Sequence, residues 1–195
     1  EKIVVEKRES PYQYCRELEK GNILFFPSVP FDFPKVELDF LLKQKQGGSK
    51  GRKNIAYKPQ NDLLTNHDGL DSKRMKEILR GYSERVQEFL GSLLEPYSSK
   101  WKLDYTSFRP FQEKGRNLRL RARNDLLHID AFPTRPLHGN RILRFFTNIN
   151  PEESRNWITS EPFAKLVEKY GGNGVSFPKS VGYSLFDRLE RKAWL

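Results

Sequence analysis

His128 and Asp130 stand one residue apart in the run Asp125–Pro151, DLLHIDAFPTRPLHGNRILRFFTNINP. On a β-strand alternate side chains point to one side, so this pair would present an imidazole and a carboxylate from a single face, a spacing suited to chelation. Two histidines and one carboxylate on one face of a metal leave positions open for a cosubstrate and oxygen, the arrangement of non-haem Fe(II) oxygenases. His128 and Asp130 are the candidate catalytic and metal-binding residues, two thirds of such a triad. The bare pair equally fits a surface histidine beside an aspartate, and nothing in the sequence identifies an acceptor for the second ring nitrogen of His128.

If Fe(II) sits between them, a 2-oxoglutarate cosubstrate would chelate it through its keto acid, and its far carboxylate would need a cation. An arginine fork matches a carboxylate best. Arg144 is the first candidate, because it lies on the strand-like run that follows the His-x-Asp pair; Arg109 is the next. Arg141, three residues before Arg144, belongs to the opposite face of the same strand. Parity with Arg144 favours Asn148 over Thr147 as a hydrogen-bonding group in the pocket. Arg116, Arg119, Arg121 and Arg123 precede the pair and either meet an anionic substrate or form a solvated cationic face. His138, between Pro136 and Gly139, and His67, in the turn-like NHDG, are not expected to be ligands.

The chain around these residues has 195 residues and a mass of 23.0 kDa, enough for one sizeable core, so a single domain over 1–195 is expected. Fourteen Phe argue against wholesale disorder. Cys15 is the sole cysteine, which excludes an intrachain disulfide and a cysteine zinc site. The sequence holds no apolar run of about eighteen residues, and its start, EKIVVEKRES, has no apolar signal-peptide core, so a soluble cytoplasmic protein is expected. The net charge of +10 and pI near 9.7 suit an anionic partner, whether nucleic acid, a phosphate-rich lipid surface or an acidic sugar; they also suit plain solubility.

The helical signals fall in about residues 1–100. Ser10-Pro11 caps a short helix that Gly21 stops, ILFF (Ile23 to Phe26) reads as a buried strand, and Val36, Phe40 and Leu41 share a face of a second helix. Gln44 to Lys58 has the composition of a solvated loop, with a basic flap over an anionic substrate as the functional alternative. From Asp71, Met75, Ile78, Leu79, Tyr82, Val86, Phe89, Leu90, Leu93 and Leu94 recur at helical spacing until Pro96, predicting the longest helix and a buttress for a sheet. The period becomes two from Trp101, with Leu103, Tyr105 and Ser107 on one face; Arg116–Arg123 and Arg141–Asn150 read as further strands, and Ser160-Glu161-Pro162 starts another helix.

Four blocks carry a family resemblance: YTSFRPFQEKGR (Tyr105 to Arg116), RNDLLHIDAFPTRP (Arg123 to Pro136), RILRFFTNINP (Arg141 to Pro151) and NWITSEPF (Asn156 to Phe163). Together they resemble the Kdo 3-hydroxylases, Fe(II)- and 2-oxoglutarate-dependent dioxygenases that act on 3-deoxy-manno-octulosonic acid in the lipopolysaccharide inner core. The resemblance implies an α+β, mainly β fold: a double-stranded β-helix, or cupin-like jelly roll, with flanking helices and its strands in about residues 101–195. It implies Fe(II) and 2-oxoglutarate as cofactors, His128 and Asp130 as iron ligands, and Kdo-bearing lipid A as substrate. Peripheral contact with the cytoplasmic side of an anionic inner membrane follows, with no nucleic-acid partner expected.

The family draws a second histidine from a strand well after the His-x-Asp pair, and no His follows His138 here. Nor do closing strands follow SLFDRLERKAWL, so the jelly roll is expected to be cut short in these 195 residues, either as part of a longer chain or as a shortened, inactive relative. The alternative of a different class is a catalytically inactive basic module binding RNA or anionic lipid. Such a binder would lose affinity steeply with salt and be indifferent to 2-oxoglutarate.

Overall fold

A computed structural model describes residues 1–6, 9–44, 54–67, 69–110, 137–161 and 163–171. Two compact units divide the chain, Glu1–Trp157 and Ile158–Leu195. In the first, β1 (Lys2–Val4), α1 (Pro11–Glu19) and β2 (Ile23–Phe25) form a small parallel unit in register Ile3↔Leu24. Parallel neighbours need a crossover, and α1 is it. Its start follows from the sequence: Ser10 is extended at the N-cap and its hydroxyl accepts from the Gln13 N–H at 3.3 Å, while Pro11 occupies the first turn. Gly21, at φ 83°, takes the left-handed position that ends it, its N–H donating to the Leu18 carbonyl.

α2 (Lys35–Leu42) leads to an antiparallel sheet of order β4-β3-β5, with β3 (Ile55–Lys58) between β4 (Leu63–Thr65) and β5 (Thr106–Phe108). α3 (Ser72–Leu93) runs across both sheets, and α4 (Glu95–Ser98) follows, with Pro96 in its first turn. The amino-terminal half of α3 places Met75, Ile78 and Leu79 against Ile55, Tyr57, Phe40 and Leu41. Its carboxy-terminal end places Leu93, with Leu94, against Tyr14 and Cys15 of α1. One amphipathic helix thus closes two apolar clusters, as its periodicity predicts.

A salt-bridge knot pins the β3–β4 turn to α3. Asp62 sits in the left-handed region at φ 49° and accepts from Lys76 Nζ at 2.8 Å, from Tyr57 Oη at 3.1 Å and from Arg80. These donors hold the Asp62 carboxyl well below the usual carboxylate range, Lys76 contributing most.

Several expectations need correction. Gln44–Lys58 is not loop throughout: its last four residues are β3, whose Ile55 and Tyr57 are buried, and the surrounding lysines hid that alternation. ILFF is not a buried strand, because β2 has only β1 beside it among the described residues, and Ile23 and Phe25 remain exposed around a half-buried Leu24. Val36 is exposed and only Phe40 and Leu41 of α2 reach the core.

The strand predicted from Trp101 is shorter and faces the other way. Gln60 Nε2 donates to the carbonyls of Leu103 and Asp104 and holds 101–105 out of the ladder. From Thr106 onward the register Ile55↔Phe108 turns the ring of Phe108 to the core and leaves Ser107 exposed. In the second unit, α5 (Phe163–Gly171) begins just after the predicted Ser160-Glu161-Pro162 start, and Lys169 lies 3.8 Å from Glu161.

Candidate functional site

The segment 141–150 pairs in no ladder among the described residues, and its burial alternates from Phe145 to Asn150. Its position is set by one face. Phe145 packs its ring 6.0 Å from those of Phe31 and Phe89, Thr147 Oγ1 lies 2.7 Å from Tyr82 Oη, and Ile149 joins the cluster between α3 and the three-stranded sheet. Burial pushes the Tyr82 hydroxyl up in pKa, so it stays a neutral hydrogen-bonding group. Arg144, Phe146 and Asn148 alternate with these inward residues and are exposed. The parity expected for Arg144 and Asn148 is present: both belong to the face turned away from α3.

Asn148 is engaged locally. Its Nδ2 donates to the Glu153 carbonyl at 2.8 Å and its Oδ1 accepts from the Asn150 N–H at 3.2 Å, shaping the turn at Pro151. The outer face continues to Trp157, whose ring centroid lies 4.5 Å from that of Phe146 and carries the Arg155 guanidinium at 5.1 Å. Arg141 ion-pairs with Glu19 of α1.

Arg109 sits at the end of β5, and its Nε donates to Asn54 Oδ1 at 3.1 Å. Asn54, at the start of β3, also accepts through its carbonyl from Asn66 Nδ2 at 2.8 Å, so one asparagine ties together the ends of all three strands.

His128, Asp130, Arg116, Arg119, Arg121 and Arg123 lie outside the described residues, as do Lys45, Lys50, Arg52 and Lys53 of the basic loop. Among the described residues no three His, Cys, Asp or Glu side chains group to hold a metal. His138 is exposed in a turn at φ 48°, and His67 Nδ1 lies 3.0 Å from Ser72 Oγ at the start of α3, a structural contact.

Residues 3–189 match the family model described as 3-deoxy-D-manno-oct-2-ulosonic acid (Kdo) hydroxylase. The chain belongs to this family. A crystal structure of the Kdo hydroxylase KdoO, a non-heme Fe(II) alphaketoglutarate dependent dioxygenase, in complex with cobalt(II), is 33% identical at a TM-score of 0.55, over 68% of this chain and 46% of that one. KdoO in complex with alphaketoglutarate and Fe(III) is 32% identical at a TM-score of 0.56, with the same coverage. The match thus spans under half the length of these solved Kdo hydroxylases. No curated protein matches the sequence.

Two residues carry roles that their place in the sequence does not signal. Tyr82 reads as one more member of the apolar stripe of α3, and Asn54 as one polar residue in a basic loop. Only their partners, 65 and 55 residues away, give them a role.

Proposed function

We propose that this protein hydroxylates C3 of Kdo in lipid A-linked inner-core lipopolysaccharide, using Fe(II) and 2-oxoglutarate. The observation that carries the reading is the Kdo hydroxylase family match over residues 3–189, supported by the likeness to KdoO. The donor chemistry fits the metal: His128 offers an imidazole nitrogen and Asp130 a hard carboxylate oxygen, and these two would hold Fe(II). Bound Fe(II) and 2-oxoglutarate would activate dioxygen, one oxygen atom going to the sugar C–H bond and the other to succinate, with carbon dioxide released. Within this reading, the described helices and small sheets flank a double-stranded β-helix to which 141–150 contributes.

The chain's own residues bind and orient. Arg144 grips the far carboxylate of 2-oxoglutarate through its fork, with Arg109 as the alternative clamp; the exposed face on which Arg144 lies, away from α3, supports the first choice. Arg116, Arg119, Arg121 and Arg123 meet the sugar carboxylate and the lipid A phosphates and turn C3 toward the metal. A net charge of +10 draws the protein to the anionic cytoplasmic face of the inner membrane, where the substrate is made. Among the described residues no helix is long and apolar enough to cross a membrane.

The test is succinate release by the whole protein with Fe(II), 2-oxoglutarate and either Kdo-bearing lipid A or free Kdo. Succinate should form in step with the lipid-linked sugar and poorly with the free one. Release that ignores the sugar would refute the substrate assignment.

A further inference from the structure

Between Phe146 and Trp157 the chain turns back on itself, and asparagine side chains hold the turn. Asn148 Nδ2 donates to the Glu153 carbonyl at 2.8 Å, and Asn150 Oδ1 accepts from the N–H groups of Glu152 at 2.9 Å and Glu153 at 3.2 Å. The Trp157 ring thereby comes to lie 4.5 Å from that of Phe146, centroid to centroid, at 52°. The Arg155 guanidinium stands 5.1 Å over the same indole. Although the two rings touch, Phe146 is 57% and Trp157 53% exposed, so each keeps more than half of its surface open. Pairing of a backbone with a neighbouring strand runs in the plane of the sheet, whereas side chains stand out of it, so the openness of these rings does not depend on what the backbone pairs with.

An open pair of rings with a cation laid against it has a definite chemistry. The face of an aromatic ring carries negative charge and attracts the polarised C–H groups along one side of a pyranose. A guanidinium offers a carboxylate two parallel N–H donors. Together they suit a molecule that is apolar on one side of its ring and anionic at one edge, which describes a sugar acid. We propose that Phe146 and Trp157 form a stacking platform for the pyranose of a sugar acid, with Arg155 as the cation that takes its carboxylate. The identity of that sugar as Kdo rests on the proposed function, and the platform rests on the geometry of these three residues. It adds a sugar contact that follows the His-x-Asp pair in the chain to the four arginines that precede it.

The test uses the whole protein with Fe(II) and 2-oxoglutarate under nitrogen, where a sugar binds without turnover. The probes are the methyl glycoside of Kdo and the methyl ester of that glycoside, which has the same ring without the charge. Calorimetry should show the acid binding about tenfold more tightly than the ester, as a charge-assisted pair allows. Arg155→Gln should bring the acid down to the level of the ester and leave the ester where it was. Trp157→Ala should weaken both probes roughly three- to tenfold, and Trp157→Phe, which keeps a ring, should recover most of the loss. Both side chains are exposed, so each variant should keep a Tm close to that of the parent.

Equal binding of acid and ester by the parent, or acid binding that ignores both Arg155→Gln and Trp157→Ala, overturns the proposal. So does tighter binding of adenosine monophosphate than of the Kdo glycoside, which would mark the rings as a nucleotide-stacking surface. Failure of the proposed function reads differently: the sugar acid binds with the expected dependence on Arg155 and Trp157, yet Kdo-bearing lipid A is not hydroxylated once air is admitted. Conversely, hydroxylation with an unaltered KM for Kdo-bearing lipid A in both variants keeps that function and removes the platform.

Discussion

Asp62 makes the sharpest residue-scale prediction, because three donors favour its ionised form. A carboxyl whose folded pKa lies below its ordinary value near 3.8 stabilises the fold fully above that value, and the contribution is lost as pH falls toward the depressed one. Asp62→Asn should therefore lower Tm at neutral pH. The deficit should shrink as pH drops below about 4, and a deficit that stays constant to pH 2 would contradict the assignment. At the candidate site, Arg144→Ala should raise the KM for 2-oxoglutarate tenfold or more, on the order expected for a charge-assisted pair, and affect the sugar KM less. Kinetics with each substrate varied in turn would check it. The shared face of Arg144 and Asn148 was legible from alternation alone, whereas His128 and Asp130 lie outside the described residues. The role of Tyr82 was not legible, since a tyrosine in an apolar helical stripe looks the same whether or not its hydroxyl has a distant partner.

At the scale of elements, α3 was the most legible because nine apolar residues repeat its period, and the structure uses that stripe to close both clusters. Met75 is fully buried at the centre of the first, so Met75→Ala should cost about 2–5 kcal/mol, read as a lower denaturation midpoint at unchanged m. The short strands were harder. β3 has four residues in a lysine-rich context, and β1 and β2 have three each, too few for a period of two to stand out. β5 shows how the error arises: Leu103 and Tyr105 suggested one face, but the strand starts only at Thr106, and the cross-strand partner Ile55 decides that Phe108 points inward. Register set by a partner 53 residues away leaves no local trace.

At the scale of the whole molecule, the excess of 35 basic over 25 acidic residues would, under the proposed function, bear on how the protein meets a lipid-linked, phosphorylated sugar. Screening shortens from about 10 Å at 0.1 M salt to about 3 Å at 1 M. Added salt should thus raise the KM for Kdo-bearing lipid A more than that for 2-oxoglutarate; parallel titrations of the two would show it. Under the proposed function this charge would serve to orient one C–H bond of an anionic sugar at an Fe(II) site that His128 and Asp130 would hold. The most direct test is mass analysis of the sugar after incubating the whole protein with Fe(II), 2-oxoglutarate and Kdo-bearing lipid A. The account predicts a gain of about sixteen mass units at C3 of Kdo, one succinate per hydroxylated sugar, and loss of both in His128→Ala and Asp130→Ala. An unmodified sugar beside continued succinate formation, or unchanged hydroxylation in either variant, would contradict it.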